Sequence, residues 1–148
     1  MSKQISLTKR AYLAGFLDGD GSIYVRLKPN ETYRYGFQVA PYIILFQSKK
    51  DEAKFLKVCS MLNCGYLRER NDGILEYTIS RKDSIISFLE MVKPYVILKR
   101  EQVKLMTRIL KKKERVNCKK DFIELMKIID KFRKLNYSKK RKRHELTP

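Results

Sequence analysis

Apolar and polar positions follow two periods along this 148-residue chain. Over residues 7–18 the spacing is helical, with Leu13, Phe16 and Leu17 on one stripe and the small residues Ala11, Ala14, Gly15 and Asp18 on another. Ser6 or Thr8 is placed to cap this helix. Gly19-Asp20-Gly21 ends it, because glycine reaches backbone geometry that other residues avoid. From 22 to 28 the period drops to two: Ile23, Val25 and Leu27 alternate with Tyr24, Arg26 and Lys28, as in a half-buried strand. Pro29-Asn30 opens a loop. A second strand covers about 36–47, where both faces are apolar and polarity does not assign them. Pro41 within it points to a bulge or an edge. Asp51 then caps a helix over about 52–62, with Phe55, Leu56, Val58, Cys59 and Leu62 inward. Residues 65–80 read as a hairpin turning at Asn71-Asp72-Gly73. Leu67, Leu75, Tyr77 and Ile79 face the core, while Tyr66, Arg68 and Arg70 share one face of the first strand and Glu76, Thr78 and Ser80 one face of the second. Helices follow at about 82–92, 99–112 and 119–134, with Pro94 separating the first two. The order is αββαββα with C-terminal helical extensions, an α+β class. No internal repeat is visible, and the pattern of residues 7–21 does not recur.

Charge changes the picture most. Lys plus Arg number 34 against 16 Asp plus Glu, a net charge of +18, so self-repulsion opposes compaction. A polyanionic partner offsets it: nucleic acid first, an anionic membrane surface second. The bland alternative is a solvated lysine-rich surface. Residues 131–148 hold eight Lys or Arg and one Glu. The domain reading is therefore one domain over 1–135 and a basic tail over 136–148. Within the tail, Lys139-Lys140-Arg141-Lys142-Arg143 is either a phosphate-binding arm or merely solvated. The 43% apolar content is enough for a packed core. Cys59, Cys64 and Cys118 fit no zinc spacing and read as free, mostly buried thiols of a reducing compartment. The single histidine, His144, lies in the tail, which excludes nuclease motifs that need two. Neither a membrane-spanning run nor a signal peptide is seen, so the expected place is intracellular, not secreted, with no membrane partner.

Chemistry concentrates at Leu13-Ala14-Gly15-Phe16-Leu17-Asp18-Gly19-Asp20-Gly21. Small residues on a helix let another backbone approach. Asp18 and Asp20 stand at the helix C-terminus, where the macrodipole already disfavours negative charge. Two such helix ends brought together add carboxylate repulsion, which a divalent metal with a preference for oxygen ligands, such as Mg²⁺, relieves. An ordinary Gly/Asp turn that binds nothing is the bland reading of the same residues.

The segment as a whole resembles the motif of the LAGLIDADG homing endonucleases, identical at six of nine positions: Leu13, Ala14, Gly15, Asp18, Asp20 and Gly21. Ser22-Ile23 also suits, and the element order matches over residues 7–135. A single motif resembles the homodimeric subclass. The resemblance implies an αββαββα core with a saddle-shaped antiparallel sheet over DNA. Two motif helices would pack side by side, with Leu13, Ala14, Gly15, Phe16 and Asp18 at the dimer interface. Asp20 would be the catalytic carboxylate, holding Mg²⁺ with the Gly19 carbonyl; Mn²⁺ would substitute, and Ca²⁺ would support binding without cleavage. Gln47 would orient the attacking water, and Lys99 would offset charge near the scissile phosphate. Bland readings are a strand-end polar residue and a helix-start surface lysine. One departure concerns a basic residue that some relatives carry after the second strand: Asp51 stands nearest here, with Lys49 and Lys50 just before it.

Sheet positions beside this motif suit base recognition. Tyr24, Arg26 and Lys28 alternate with core residues. Arg68 and Arg70 match guanine, Gln38 adenine and Glu76 cytosine, while Ile44 or Phe46 match thymine methyls. Thr78 shares the face of Glu76, and Asn30, Thr32 and Tyr33 lie in the loop toward outer bases. The solvent face of a sheet is the bland reading of this set. The function expected from that resemblance is a site-specific, intron-encoded homing endonuclease, making a Mg²⁺-dependent double-strand break in a long pseudo-palindromic double-stranded DNA site. The alternative is an RNA maturase bound to intron RNA, or a regulator that binds nucleic acid without cutting. A basic ribosome-associated protein would explain the charge but not the motif. Retention of Asp18, Asp20, Gln47 and Lys99 favours the nuclease.

Overall fold

The computed structural model describes residues 4–136. Nine elements follow the order α1 (Leu7–Asp20), β1 (Gly21–Pro29), β2 (Phe37–Ser48), α2 (Glu52–Cys59), β3 (Tyr66–Glu69), β4 (Ile74–Ile79), α3 (Lys82–Val92), α4 (Arg100–Glu114) and α5 (Lys119–Leu135), with a short 3₁₀ turn at Lys49–Asp51. The α+β reading and the αββαββα order therefore hold, with α4 and α5 as the extensions. The strands form one sheet ordered β1-β2-β4-β3, and β4 runs antiparallel to both β2 and β3. The basic run in the tail lies outside the described residues.

Contacts gather the chain into two compact units. The first combines the N-terminal part up to Ile23 with Tyr42–Arg100, and the second combines Tyr24–Pro41 with the chain from Glu101 onward. In the first, Leu13, Leu17, Ile23, Ile43, Leu45, Phe55, Leu75, Ile79, Ile85 and Phe88 are buried. In the second, Val25, Leu27, Val39, Val103, Met106, Ile109, Leu125, Ile129 and Phe132 are buried, and Tyr35 stacks on Phe122 with centroids 5.1 Å apart.

Local chemistry sets the boundaries. The Lys9 N–H donates to Ser6 Oγ at 3.3 Å, so Ser6 caps α1. At the other end Gly21 is extended, not left-handed, with φ −122°. Glycine is needed there for space: a Cβ would lie 2.8 Å from the Leu17 backbone. The hairpin turns where expected, with Gly73 at φ +81° and the Arg70 N–H donating to the Ile74 carbonyl at 2.8 Å.

Four expectations are corrected. The helix placed over 52–62 ends at Cys59, and Leu56, one residue round from the buried stripe of Phe55, Val58 and Cys59, is exposed. Leu67 is exposed as well, because β3 is a four-residue outer strand with no buried position. Asp51 makes no capping hydrogen bond; Ser48 Oγ instead accepts from the Lys50 N–H at 3.2 Å and opens the 3₁₀ turn. Pro41 is buried, on a strand lying between two others. It lies outside the segment that pairs with β4, which begins at Ile43, so no bond of that ladder is lost. The three cysteines are free, but Cys118 is exposed. Burial pushes the Cys59 thiol up to about 11.

Candidate active site and nucleic-acid interface

The end of α1 carries two carboxylates in different surroundings. Asp18 reaches the segment before α4. Its Oδ2 accepts the Ile97 N–H at 2.7 Å and the Leu98 N–H at 3.1 Å, and its Oδ1 accepts the Lys99 N–H at 3.0 Å. These donors offset the charge that the helix C-terminus disfavours. The Lys99 ammonium returns the contact, donating to the Asp18 main-chain carbonyl at 2.9 Å. Asp20, two residues on, is exposed. The Gly21 N–H bonds the Leu17 carbonyl, so the carbonyls of Gly19 and Asp20 lie past that last helical bond.

The structure thus brings Lys99 to the end of α1. Gln47 is half-buried, and its Oε1 accepts from the Ser48 N–H at 2.9 Å. Lys49 is engaged by the Glu69 carboxylate at 2.7 Å, whose hydrogen bond holds the ammonium above the usual lysine value. Lys50 is exposed.

Of the residues expected at a dimer interface, Leu13 and Ala14 are fully buried within their own chain, so neither is open to a partner. Phe16 is half-buried and stacks on Phe55 at 5.8 Å. Asp18 is spent on residues 97–99. Gly15 alone of the five is exposed, with no atom within 4 Å of where a Cβ would stand. The outward face of α1 is Ala11, Tyr12, Gly15 and Gly19. Nearby in this unit Ile97 and Leu98, whose amides Asp18 holds, have 74% and 73% of their surface exposed. Ile97 and Leu98 were missed from sequence because nothing local marks a pairing across eighty residues. Tyr12 and Gly19 were also not placed on this face from sequence, although helical spacing from Gly15 could have found them.

Two expected base readers are corrected. Ile44 and Thr78 face each other across β2 and β4 and are 6% and 5% exposed. Thr78 is short and flanked by Ile44 and Tyr66 on its two neighbouring strands, so it is covered. One step along, Phe46 and Arg68 flank Glu76 in the same way. Phe46 is half-buried, and the Glu76 side chain is 12% exposed. The exposed Arg68 donates to Glu76 at 2.9 Å, and Arg70 lies 3.7 Å from Glu76 and 2.6 Å from Asp72. Residues 68–72 line an open hollow of about 430 Å³.

In the second unit Arg26 is exposed, while Tyr24, Lys28 and Gln38 are half-buried. Asn30 Oδ1 accepts from the Thr32 N–H at 3.0 Å and hydroxyl at 2.7 Å, which orders the loop and leaves Tyr33 exposed. Among the described residues no group of three or more His, Cys, Asp or Glu is placed to hold a metal, and no helix is long and apolar enough to cross a membrane.

The chain is similar to known proteins of one family. A sequence profile of the LAGLIDADG endonuclease family matches residues 13–104. The chain is 36% identical over 133 residues to DNA endonuclease I-CvuI of Chlorella vulgaris, covering 90% of this chain and 83% of the relative. It is 32% identical over 132 residues to DNA endonuclease I-CreI of Chlamydomonas reinhardtii, covering 88% and 80%. Among solved structures, I-CvuI bound to its target with Ca²⁺ superposes with a TM-score of 0.83 at 35% identity, over 95% of this chain and 88% of that one. I-CvuI on the I-CreI target with Mg²⁺, its DNA uncleaved, gives 0.82 over 93% and 86%.

Proposed function

The chain belongs to the LAGLIDADG endonuclease family, and from that premise we propose that it is a homing endonuclease that cuts both strands of a long, pseudo-palindromic DNA site as a homodimer using Mg²⁺. The observation that carries this reading is the division of labour at the end of α1. Asp18 is satisfied by three backbone N–H groups, while Asp20 stands exposed beside it, with Lys99 anchored to the same turn.

A divalent cation suits the donors present. The Asp20 carboxylate and the Gly19 carbonyl are hard oxygen ligands, and Mg²⁺ keeps waters and phosphate oxygens in the rest of its shell. One chain offers too few carboxylates to hold it alone, so a second copy and the DNA complete the set. Once bound, such an ion stabilises charge developing on the phosphate and lowers the pKa of an attacking water. Asp20 supplies the anchoring charge. The Lys99 ammonium, held by the Asp18 carbonyl, offsets negative charge on the phosphate. Gln47 orients the water once its amide leaves the Ser48 N–H. Mn²⁺ would replace Mg²⁺, and Ca²⁺ would hold DNA without cutting.

The second copy meets the outward face of α1, where Ala11, Gly15 and Gly19 allow close backbone approach and Tyr12 adds apolar surface. Leu13 and Ala14 support that face from the core side. Two-fold symmetry then makes the target pseudo-palindromic. Arg26, Arg68, Arg70, Gln38 and Glu76 are the base readers, with Tyr24, Lys28 and Phe46 at their margins and Asn30, Thr32 and Tyr33 toward the outer bases. Linearisation of a plasmid library of long candidate sites, with Mg²⁺, Ca²⁺ or EDTA, tests the reading. Cutting of a few related sites only with Mg²⁺ is expected. Tight binding without cutting, to DNA or to intron RNA, would replace it with the regulator or maturase reading.

A further inference from the structure

Helix α4 has a second charged feature that the cutting reaction does not use. Its inner side is Val103, Met106, Ile109 and Leu110, all buried, and from that side Lys113 Nζ donates to the Val39 carbonyl of β2 at 3.1 Å. Opposite lies an exposed ridge at helical spacing: Lys104, Arg108 and Lys111 on α4, with Arg115 just past its end. Two exposed acids of the same helix, Glu101 and Glu114, flank these four positions without standing on their line. Glu101, at the helix start, makes a loose exposed pair with Lys104 at 3.7 Å. Asp121, in the first turn of α5, accepts the Asn117 N–H at 3.0 Å.

The helix dipole accounts for basic residues in the last turn, Lys111 among them. It does not account for Arg108 and Lys104, about one and two turns further back. A solvated surface does not require four cations on one line either, since exposed helix faces gain by alternating charge at this spacing. Four cations over about 16 Å of helix fit one thing well: a duplex backbone, which carries a negative charge about every 1.7 Å of its axis.

We infer that the α4 ridge is a second, sequence-independent DNA-binding surface that takes a separate duplex segment by its phosphates. Within its own unit the ridge points away from β2, on which α4 packs, so it is distinct from the proposed base readers Tyr24, Arg26, Lys28 and Gln38 of that unit. It lets the protein hold one duplex on the sheet while touching another, which speeds transfer between segments during a search for a rare site. Double-stranded DNA is the occupant because the ridge is straight, carries no aromatic side chain for stacking and offers only charge, whereas single strands and folded RNA are gripped through stacked bases.

The test uses the full chain and short duplexes of unrelated sequence carrying two dyes, in Ca²⁺ so that nothing is cut. Wild-type protein is expected to bridge the two colours. The variant Lys104→Gln, Arg108→Gln, Lys111→Gln, Arg115→Gln should keep its Tm and still bind one duplex, but bridge at least tenfold less well. Its overall salt dependence for unrelated DNA should fall by about 3 in slope. Bridging by the variant at wild-type level overturns the inference, as does absence of bridging by the wild type. Loss of binding to structured RNA with bridging of DNA unchanged overturns it in favour of an RNA surface. None of these outcomes depends on cleavage, so the inference can fail while the nuclease reading stands.

Discussion

The end of α1 and the β3–β4 hairpin both place acids beside groups proposed to act on DNA, yet they use them in opposite ways. At the helix end the partners of Asp18 are backbone N–H groups of residues 97–99, which cannot swing aside. At the hairpin the partners of Glu76 and Asp72 are the guanidinium ends of Arg68 and Arg70, on long side chains exposed to solvent. Hydrogen bonds to a charged group are worth about 1.5–3 kcal/mol each, whereas exposed ion pairs contribute about 0–1. The end proposed as catalytic is therefore fixed before DNA arrives, and the face proposed to read bases is held by contacts it can exchange. Chemistry needs a geometry set in advance, while recognition of bases needs side chains able to trade a carboxylate for a base edge.

The sharpest break of this contrast is Asp20→Asn. Cleavage should fall by about a thousandfold or more, since the only carboxylate left free at the helix end is gone. Binding to the target in Ca²⁺ should persist, as read by gel shift, because Asp18 keeps the turn intact. A folded variant that loses binding and cutting together would mean that Asp20 shapes the surface rather than the reaction. Next in size is Gly15→Leu, which fills the open side of α1 without touching the core. Dimerisation should weaken at least tenfold by sedimentation; a fully dimeric variant would place the partner elsewhere.

Asp18→Asn comes third and tests preorganisation itself. An amide keeps one acceptor oxygen but gives up the charge and the second oxygen, a loss of about 1–3 kcal/mol. Turnover should fall roughly tenfold with DNA affinity in Ca²⁺ unchanged, and Tm should drop by several degrees. If Asp18 acts by placing Lys99, the double variant with Lys99→Met should be no slower than Lys99→Met alone. Independent losses that multiply would leave Asp18 a purely structural anchor.

How far the sequence reached follows from the range of each interaction. Helices α1 and α3 and the hairpin turn were legible because short-range periodicity and Asn71-Asp72-Gly73 set them locally. The exposed Asp20 was legible too, through a motif that also fits a known family. The role of Asp18 was not, since its donors lie eighty residues away and its own neighbours suggest only a small-residue stripe. Ile44 and Thr78 were misread for a related reason: alternation shows which face a residue is on, not whether neighbours on adjacent strands cover it. Leu67 failed in the reverse direction, apolar on the inward side of an outer strand where packing covers it only in part. Strand order, which local patterns do not encode, decides all three.

The smallest expected effect lies at the hairpin, where Glu76→Gln removes the charge that holds Arg68 and Arg70. Stability should change by no more than about 1 kcal/mol, because the arginines are exposed even though the Glu76 side chain is 12% exposed. Affinity for unrelated duplex should rise a few-fold, since two guanidiniums no longer leave a carboxylate to meet a phosphate. Affinity for the target should rise less, so discrimination narrows. Parallel titrations of target and unrelated duplexes measure both. A variant that loses many degrees of Tm while both affinities stay at wild-type values would show the hairpin pairs to be as fixed as the Asp18 contacts. The contrast between a prearranged catalytic end and an adaptable reading face would then fail at the hairpin, because arginines that cannot leave Glu76 cannot be what reads the bases.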